Sequence, residues 1–482
     1  MAIIGAGAAG TLTTINLLRT LAGTPCRIAL LDRLARHGRG TAYSTTDDRH
    51  LLNVPAGRMS AWPDDPGDFV RWARASGAEV AGDTYAPRRL YGEYLMATLA
   101  AARADARTGG PTVTLITAAA TAITETGARA PMRVHLAAGG RIDADLVVLA
   151  PGNRPPADPL PGLRWSDRYV PDPWRPGALW RPSGRVLCVG TGLTMIDVAL
   201  TLARDPSTTV YALSRHGLLP RSHDAAACAA SSYPVTVPDP GDGPLRLVDA
   251  ITWLNRLVAR CSDWRQALEL ARPHIPDLWR RMPDADRRVF VHRLGRYWEI
   301  HRHRMPEATT RRVDALRRAG RLRLITGTVH TADPYRDGIE VEAAASDGPR
   351  RITADWLVNC TGPRERGPAA PPVPYGVDGP HDAMYAQLAA SGLARPGPLD
   401  IGLDTSADGA VLTADGLAHP RLFTLGPPRR GSLYESTAVP EIRHQAHALA
   451  ERLATLLPRP APVNPGRHDP RPRHTTLAAP TP

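Results

Sequence analysis

Two glycine-rich turns constrain this chain more than any other feature, because each follows an apolar run and opens an apolar helix pattern. One turn lies in residues 2–10 and the other in residues 186–197. In a dinucleotide-binding fold, glycines at such turns allow a tight reversal, close backbone approach to a pyrophosphate and close helix packing. Two turns of this kind predict two bound dinucleotides, with electrons passing from one to the other. The glycines are Gly5, Gly7 and Gly10 in the first turn and Gly190 and Gly192 in the second.

The first turn carries the complete pattern. The strand after its helix ends at Asp32, 22 residues after Gly10, and an acidic residue near that spacing accepts hydrogen bonds from ribose hydroxyls. An acidic side chain suits FAD or NAD and disfavours the 2′-phosphate of NADP. We predict that this cofactor contacts Gly5, Gly7, Ala8, Ala9, Gly10, Asp32 and Arg33.

The second turn departs from the pattern at its third position, where Met195 replaces a glycine. This predicts looser packing of the helix against its strand. The next predicted strand ends in Ser214 and Arg215, and arginine binds phosphate in bidentate fashion. A relic of the unit that no longer binds nucleotide is the alternative. We predict an NADPH site formed by Gly190, Gly192, Leu193, Thr194, Ser214 and Arg215.

The basic charge of the chain indicates anionic ligands rather than nucleic acid. The 482 residues carry a net charge of +12 and include no lysine, so all 59 basic residues are arginine. Because these arginines are spread along the chain, we expect attraction of phosphates and carboxylates and no nucleic-acid partner. The lack of lysine excludes a lysine Schiff base or a lysine general base.

The apolar runs and the cysteines exclude further classes. No apolar run approaches the roughly 18 residues of a membrane span, so we expect no membrane partner, no export signal and a cytoplasmic location. None of the five cysteines forms a Cys-x-x-Cys pair, which argues against a disulfide reductase and a zinc site. We expect no metal, and the oligomeric state stays open, a homo-oligomer included.

Longer motifs carry a resemblance to known proteins. They are residues 38–44, 50–63, 87–94, 190–194, 214–220, 297–304 and 437–443. With these motifs the chain is similar to the two-dinucleotide-binding flavoprotein superfamily, and more closely to a group of FAD/NAD(P)-binding proteins. Some members of that group are amino-acid N-oxygenases of natural-product pathways that act on aspartate. The chain also resembles class B flavin-dependent monooxygenases, including ornithine and lysine N-hydroxylases.

The resemblance implies an α/β fold in which an NADP-binding Rossmann-like domain is inserted into an FAD-binding Rossmann-like domain. Residues 1–165 and 331–457 would form the FAD-binding domain. Residues 183–330 would form the NADP-binding domain, with a helical segment at about 245–322. The Pro- and Arg-rich tail, residues 458–482, is predicted to be disordered. Further cofactor contacts are expected at Gly152, Gly362 and Gly426, which follow apolar strands, and at Thr437.

The implied reaction is N-hydroxylation of a small amino acid, aspartate-like, or of an amine. NADPH would reduce FAD, the reduced flavin would bind oxygen as a C4a-hydroperoxide, and one oxygen atom would pass to the substrate nitrogen. Asn53 is the predicted catalytic residue and a flavin contact, because an amide can both donate and accept hydrogen bonds. Its alternative role is to cap a turn. Helix capping is likewise the alternative for Thr437.

Substrate contacts are predicted on the helix pattern that contains Trp298. Residues three or four apart share a helix face, so Trp298 and Arg302 form one face, and Trp298, His301 and Arg304 form another. An arginine on either face would clamp a substrate carboxylate. The alternative is a basic surface turn.

Two other function classes stay open at this point. An FAD-dependent NAD(P)H oxidoreductase or dehydrogenase would pass electrons to an acceptor without inserting oxygen. The other class is a non-catalytic nucleotide-binding protein, which stays open because Met195 replaces the third glycine of the second turn.

Overall fold

The computed structural model describes most of the chain as two large sheets of mainly parallel strands and one small antiparallel sheet. The described residues are 1–106, 108–127, 130–224, 235–363 and 380–457. The tail at residues 458–482 and Cys228 lie outside the described residues, so the prediction for the tail stays a prediction.

The first large sheet begins at the N-terminus. Its elements are β1 (Ala2–Ile4), α1 (Ala8–Thr20), β2 (Cys26–Asp32), α2 (Asp68–Ala75), α3 (Arg88–Ala104), β3 (Pro111–Thr117) and β7 (Val147–Leu149), with β4 (Ala120–Glu125), β5 (Met132–Leu136) and β6 (Arg141–Ala144) in the small antiparallel sheet. Strand β1 pairs in parallel with β2 on one side and with β7 on the other. Because it is central, all of its residues are apolar and buried.

The second large sheet repeats this central arrangement. Its elements are β8 (Tyr169–Val170), β9 (Arg185–Val189), α4 (Leu193–Leu202), β10 (Thr209–Ser214), β11 (Leu322–Tyr335), β12 (Gly338–Ala345), β13 (Gly348–Ala354) and β14 (Trp356–Asn359). Strand β9 pairs in parallel with β10 and with β14, as β1 does with β2 and β7. The strand order is β13-β12-β11-β10-β9-β14-β8.

The chain between β10 and β11 contains the predicted helical segment. Its helices are Leu247–Val258, Trp264–Ala271, Ile275–Arg281, Asp284–Val289, Gly295–Arg302 and Glu307–Arg318, with a π-helical turn at Phe290–Leu294. Trp253, Trp279 and their apolar neighbours form a separate core within it. The segment is therefore a packed unit rather than a loose connection.

The chain returns to the first sheet after β14. The elements of this part are the helix Pro380–Ala390, β15 (Ala410–Leu412), β16 (Ala418–Thr424) and the helices Arg430–Leu433 and Val439–Leu456. Strand β16 pairs in parallel with β7, which gives the order β15-β16-β7-β1-β2-β3. The second sheet thus lies within the sequence of the first, which confirms the predicted inserted fold. Among the helices of the described residues, none has the length and apolarity that crossing a bilayer requires.

The second sheet extends past residue 330, where the sequence placed the end of the inserted domain. Strands β11, β12 and β13 form an antiparallel extension that brings the chain back to the centre of the sheet, where β14 pairs in parallel with β9. The second sheet therefore includes β14, which lies in the part of the chain that the sequence assigns to the FAD-binding domain. Gly362 lies at the carboxyl edge of the second sheet, next to β9.

A buried ion pair joins the two Rossmann-like units. Arg88 at the start of α3 places its Nη1 2.9 Å from Oδ2 of Asp197 on α4. Beside this pair, Nε2 of His50 lies 2.9 Å from the Thr201 hydroxyl and 3.1 Å from the Asp197 carbonyl oxygen. Burial lowers the pKa of His50, so the neutral ring can donate from Nε2. These contacts fix α4 against the first unit.

Replacing Arg88 with alanine should destabilise the protein by about 3 kcal/mol, because the substitution leaves the buried Asp197 carboxylate without its cation. Urea unfolding of the two proteins measures this difference. The matched control is Arg89→Ala, since Arg89 is 39% exposed and pairs with exposed Asp48 and Glu93. Exposed pairs contribute about 0–1 kcal/mol. Equal loss of stability in the two variants would contradict the role of the Arg88–Asp197 pair.

Candidate cofactor and substrate sites

The first glycine turn is defined by two close contacts. A Cβ at Gly5 would lie 2.2 Å from the carbonyl oxygen of Ala150, which follows β7, and a Cβ at Gly10 would lie 1.9 Å from the carbonyl oxygen of Gly5. Gly5 also has a φ of +102°, which side-chain-bearing residues rarely adopt. These contacts hold β1, β7 and α1 together at one edge of the sheet.

The N-terminus of α1 faces the space beyond this edge. Gly7 is its N-cap and Ala8 its first residue, so the first backbone N–H groups of the helix have no intrahelical partner. Such a helix end binds anions such as pyrophosphate. Residues 38–40 contact the loop between β1 and α1, because the Gly38 N–H donates to the Ala6 carbonyl oxygen over 2.8 Å.

Three adjacent strand ends surround the α1 N-terminus. Strands β1, β7 and β16 are neighbours in the sheet, and each is followed by a glycine with positive φ, namely Gly5, Gly152 and Gly426. A Cβ at Gly152 would meet no protein atom within 4 Å, and one at Gly426 would lie 3.7 Å from the Ala9 side chain. The strand ends therefore border a space that suits the pyrophosphate of a dinucleotide.

Asp32 is the last residue of β2, at the same edge of the sheet. Its Oδ1 accepts hydrogen bonds from the backbone N–H groups of Leu34 (2.8 Å) and Arg36 (2.9 Å). These bonds fix the carboxylate at the position from which an acidic residue accepts ribose hydroxyls. The neighbouring Arg33 is exposed. The residues of this edge fit FAD.

The second glycine turn repeats the geometry of the first. Gly190 has a φ of +111°, and a Cβ there would lie 2.3 Å from the Cys360 carbonyl oxygen. Gly362 follows β14 with a φ of +84° and open space around its Cβ position, as Gly152 does after β7. Gly192 is the N-cap of α4 and also borders open space. This edge fits a second dinucleotide, with Leu193 and Thr194 in the first helical turn.

Met195 occupies the position of the third glycine. Its side chain is fully buried and packs in the core with Cys188 and Cys360. The departure from glycine therefore fills the space between helix and strand and leaves the turn at Gly190 intact. Ser214 ends β10, and the Arg215 that follows it is exposed.

Asn53 lies half-buried in a loop that reaches the second half of the chain. Its backbone carbonyl oxygen is 3.1 Å from Nε2 of His223, whose ring packs against Tyr85 at a centroid distance of 4.8 Å. Burial, with Arg304 nearby, lowers the pKa of His223 to about 4. The ring is therefore neutral at pH 7 and can donate to Asn53. Sequence reasoning missed His223, because the contact spans 170 residues.

The structure brings Trp298 and Arg302 together on one carboxylate. The Trp298 indole N–H donates to Oε1 of Glu435 over 3.1 Å, and Arg302 Nε donates to Oε2 over 3.0 Å. Arg302 and Glu435 are each 6% exposed. Burial raises the pKa of Glu435, but Arg302 and the nearby His303 outweigh burial and leave the pKa below its ordinary value.

Arg304 is also buried against a carboxylate. It donates to Oε1 of Glu269 over 2.5 Å, and the same carboxylate pairs with Arg58 and Arg272. The His301 ring packs edge-on against Trp264 at a centroid distance of 4.9 Å, and the Arg304 guanidinium lies 5.7 Å from the centroid of the same Trp264 ring. Neither the predicted surface turn nor an open carboxylate clamp describes these arginines, because a buried cation requires a counter-charge.

These charges form one cluster between the helical segment and the first domain. We call it the carboxylate–guanidinium cluster. Its ion pairs join the two parts. Glu441 of the first domain accepts from Arg272 of the helical segment and lies 3.4 Å from Arg302, and Glu269 of the helical segment pairs with Arg58 of the first domain. Its members are Arg58, Glu269, Arg272, Arg302, Arg304, Glu435 and Glu441.

Thr437 lies half-buried just before the helix Val439–Leu456. The N-cap of that helix is Ala438, and no side chain caps it, so Thr437 does not have the capping role that was its alternative. Glu441 lies in the first turn of this helix and binds Arg272 of the helical segment.

His303 contacts a residue one turn earlier in the same helix. His303 Nε2 lies 3.2 Å from Glu299 Oε2 one turn earlier. Within the described residues, no group of three or more His, Cys, Asp or Glu side chains has an arrangement that could hold a metal ion.

Comparisons with known proteins agree with this geometry. Residues 2–154 match a family model described as FAD-NAD(P)-binding. No curated protein sequence matches the chain. Among solved structures, the chain is similar to an ornithine N-hydroxylase from Kutzneria sp. 744 with reduced FAD, NADP⁺ and L-ornithine (14% identity, TM-score 0.61, 94% of this chain and 98% of that chain).

Two further structures have the same overall similarity. One is the L-lysine 6-monooxygenase from Pseudomonas syringae (15% identity, TM-score 0.63, 95% of this chain and 99% of that chain). The other is the FAD-bound cadaverine monooxygenase of desferrioxamine biosynthesis from Erwinia amylovora (13% identity, TM-score 0.62, 99% of both chains). The chain therefore has the fold of flavin-dependent N-hydroxylases, and the resemblance to two-dinucleotide-binding flavoproteins is confirmed at the level of the fold.

Replacing Glu435 with glutamine should destabilise the protein by about 2 kcal/mol at pH 7, because Arg302 loses its closest buried counter-charge. The folded-state pKa of Glu435 is lowered, so the contribution is complete above the ordinary glutamate pKa of about 4.3 and disappears as the pH falls through the lower folded value. Urea unfolding from pH 7 down to pH 3 measures this. The control is Glu451→Gln, whose carboxylate is 63% exposed; an unchanged pH profile in Glu435→Gln would contradict the prediction.

Proposed function

We propose that this protein is an FAD- and NADPH-dependent monooxygenase that hydroxylates the amino nitrogen of a small amino acid or amine. The observation that carries the proposal is the repeated edge geometry, Gly5 and Gly152 in one sheet and Gly190 and Gly362 in the other. One protein chain with two such edges can hold an electron donor and an electron acceptor. The fold supports the proposal, since structures that share it act on amino groups: ornithine, lysine and cadaverine.

The residues of the first edge would hold FAD. The α1 N-terminus after Gly7 would bind the pyrophosphate, and Asp32 would accept the ribose hydroxyls. Gly152 and Gly426 would allow the cofactor to approach the backbone. When bound, the flavin supplies the chemistry that accepts a hydride and activates oxygen.

The second edge would hold NADPH, with Gly192 at the pyrophosphate and Arg215 beside the 2′-phosphate. Asn53 would present its amide at the reacting end of the flavin, and the neutral His223 would hold the Asn53 loop in place. The charge of +12 favours an anionic substrate, which makes an aspartate-like amino acid the first compound to test. Because Arg302 and Arg304 are held by carboxylates, we do not assign them to the substrate carboxylate.

Purified protein reconstituted with FAD tests the proposal. It should be yellow, and a panel of amino acids and amines should contain at least one compound that increases NADPH and oxygen consumption together. Mass spectrometry should show a product one oxygen atom heavier than that compound. Protein that stays colourless after reconstitution would overturn the proposal, and flavin reduction without any oxygenated product across the panel would favour a reductase.

Replacing Gly192 with alanine should weaken NADPH binding by at least about tenfold. The added Cβ meets no protein atom within 4 Å, so the fold should not change. Any loss of NADPH affinity therefore indicates that the nucleotide occupies this space. Anaerobic flavin reduction at varied NADPH measures the effect. The control is Gly162→Ala, another glycine with open surroundings, which lies outside both glycine turns. Unchanged NADPH affinity in Gly192→Ala would place the pyrophosphate elsewhere.

Replacing Asn53 with alanine should leave FAD bound and its reduction by NADPH intact, because the glycine turns are untouched. The yield of hydroxylated product per NADPH should fall about a hundredfold, the lower end of the usual scale for a positioned hydrogen-bonding group. His223→Phe keeps the ring against Tyr85 but removes the hydrogen bond to Asn53, and should lower the yield less. A full yield from Asn53→Ala would refute its catalytic role.

A further inference from the structure

Arg296 links the helical segment to the second glycine turn. It lies in the first turn of the helix Gly295–Arg302, and its Nη2 donates to the Leu218 carbonyl oxygen over 2.8 Å and to the Thr191 hydroxyl over 3.2 Å. Thr191 stands between the two glycines of that turn, and Leu218 follows β10. One guanidinium thus contacts both loops that border a Rossmann-like nucleotide site.

The same small network includes the end of β10. The Thr191 hydroxyl lies 2.9 Å from the Ser214 hydroxyl and 2.6 Å from the Leu218 carbonyl oxygen, and the Gly217 N–H donates to the Ser214 hydroxyl over 3.1 Å. Ser214 is therefore held by the protein. The end of this strand is where the ribose 2′ group of a dinucleotide lies.

The charges around Arg296 leave a place for an anion. Burial lowers the pKa of Arg296, Glu299 raises it and Arg215 lowers it, so Arg215 is close enough to repel it. Glu299 already pairs with Arg430 (2.6 Å) and His303 (3.2 Å). Within the part of the chain that the structure describes, neither Arg215 nor Arg296 forms an ion pair with a carboxylate. Two neighbouring guanidiniums that form no ion pair with a carboxylate are stabilised by a phosphate dianion.

We propose that Arg296 and Arg215 together bind the 2′-phosphate of NADPH, so that the helical segment takes part in choosing NADPH over NADH. The inference rests on the proposed function of this edge as a nicotinamide dinucleotide site. It adds a residue from outside the βαβ unit, 81 positions beyond Arg215 in the chain. Arg296 would be fixed by Thr191 and Leu218 before the cofactor binds, and Arg215, which is exposed, would close on the phosphate from the other side.

Calorimetry with the FAD-loaded protein tests the proposal without turnover. The probes are adenosine 2′-phosphate and adenosine 5′-phosphate, and the variant is Arg296→Gln, whose amide can still donate to the Leu218 carbonyl oxygen. Loss of one charged contact should weaken binding of the 2′-phosphate about tenfold, which corresponds to about 1.4 kcal/mol. Binding of the 5′-phosphate should change less than about twofold. Equal changes for both probes would overturn the inference.

Anaerobic flavin reduction provides the second readout. The ratio of kcat/KM for NADPH to that for NADH should fall about tenfold in Arg296→Gln and further in the double variant with Arg215→Ala. Arg312→Gln is the control, because it removes one exposed arginine from the helix Glu307–Arg318 of the same segment. Its ratio should equal that of the wild type. Thermal unfolding of each variant verifies that the glycine turn remains folded.

The outcomes separate this inference from the proposed function. Wild-type protein that prefers NADPH, with an unchanged preference in Arg296→Gln, would overturn the role of Arg296 and leave the proposed function standing. Wild-type protein that prefers NADH would overturn the inference and the choice of NADPH in the proposed function, and would leave the proposed hydroxylation standing. Wild-type protein whose flavin neither nucleotide reduces would overturn both.

Discussion

At both Gly5 and Gly190, a backbone carbonyl oxygen of the residue just after a neighbouring strand leaves no space for a side chain. Ala150 supplies that oxygen in the first sheet and Cys360 in the second, and a Cβ would approach them to 2.2 and 2.3 Å. Because the chain must pass this point with positive φ, the helix that follows starts at the sheet edge with its free N–H groups directed beyond it. Both proposed nucleotide sites depend on this one contact, since it sets the positions of strand, turn and helix at once.

Ion pairs join the two units that these turns define. The Arg88–Asp197 pair fixes α4 to the first unit, and the carboxylate–guanidinium cluster fixes the helical segment to it. In both places an arginine crosses from one part of the chain to a carboxylate in the other. A chain without lysine makes these junctions with planar, multidentate donors, which hold two carboxylates in a defined geometry better than an ammonium does. These ion pairs therefore contribute to the relative position of the two proposed cofactor sites.

Short sequence patterns predicted the structural features that adjacent residues build. The glycines of both turns, Asp32 at a strand end and the helical segment follow from spacing along the sequence, because the turn and its helix are built from adjacent residues. The counter-charges of Arg302 and Arg304 did not follow, since Glu435 and Glu269 lie 133 and 35 residues away. The pairing of β14 with β9 did not follow from the sequence for a related reason, since the two strands lie far apart along the chain.

The two units share a backbone arrangement but differ at the third glycine position and at the end of the second strand. In the first, Gly10 allows α1 to approach the strand, and Asp32 offers an acceptor to a ribose. In the second, Met195 fills the helix–strand space from inside the core, and Ser214 and Arg215 replace the acidic residue. A carboxylate would repel a 2′-phosphate and a guanidinium attracts it, so the units favour different dinucleotides although their turns are alike. Electron transfer would therefore run from the unit that contains Gly190 to the unit that contains Gly5, because only the former has the charge that NADPH requires.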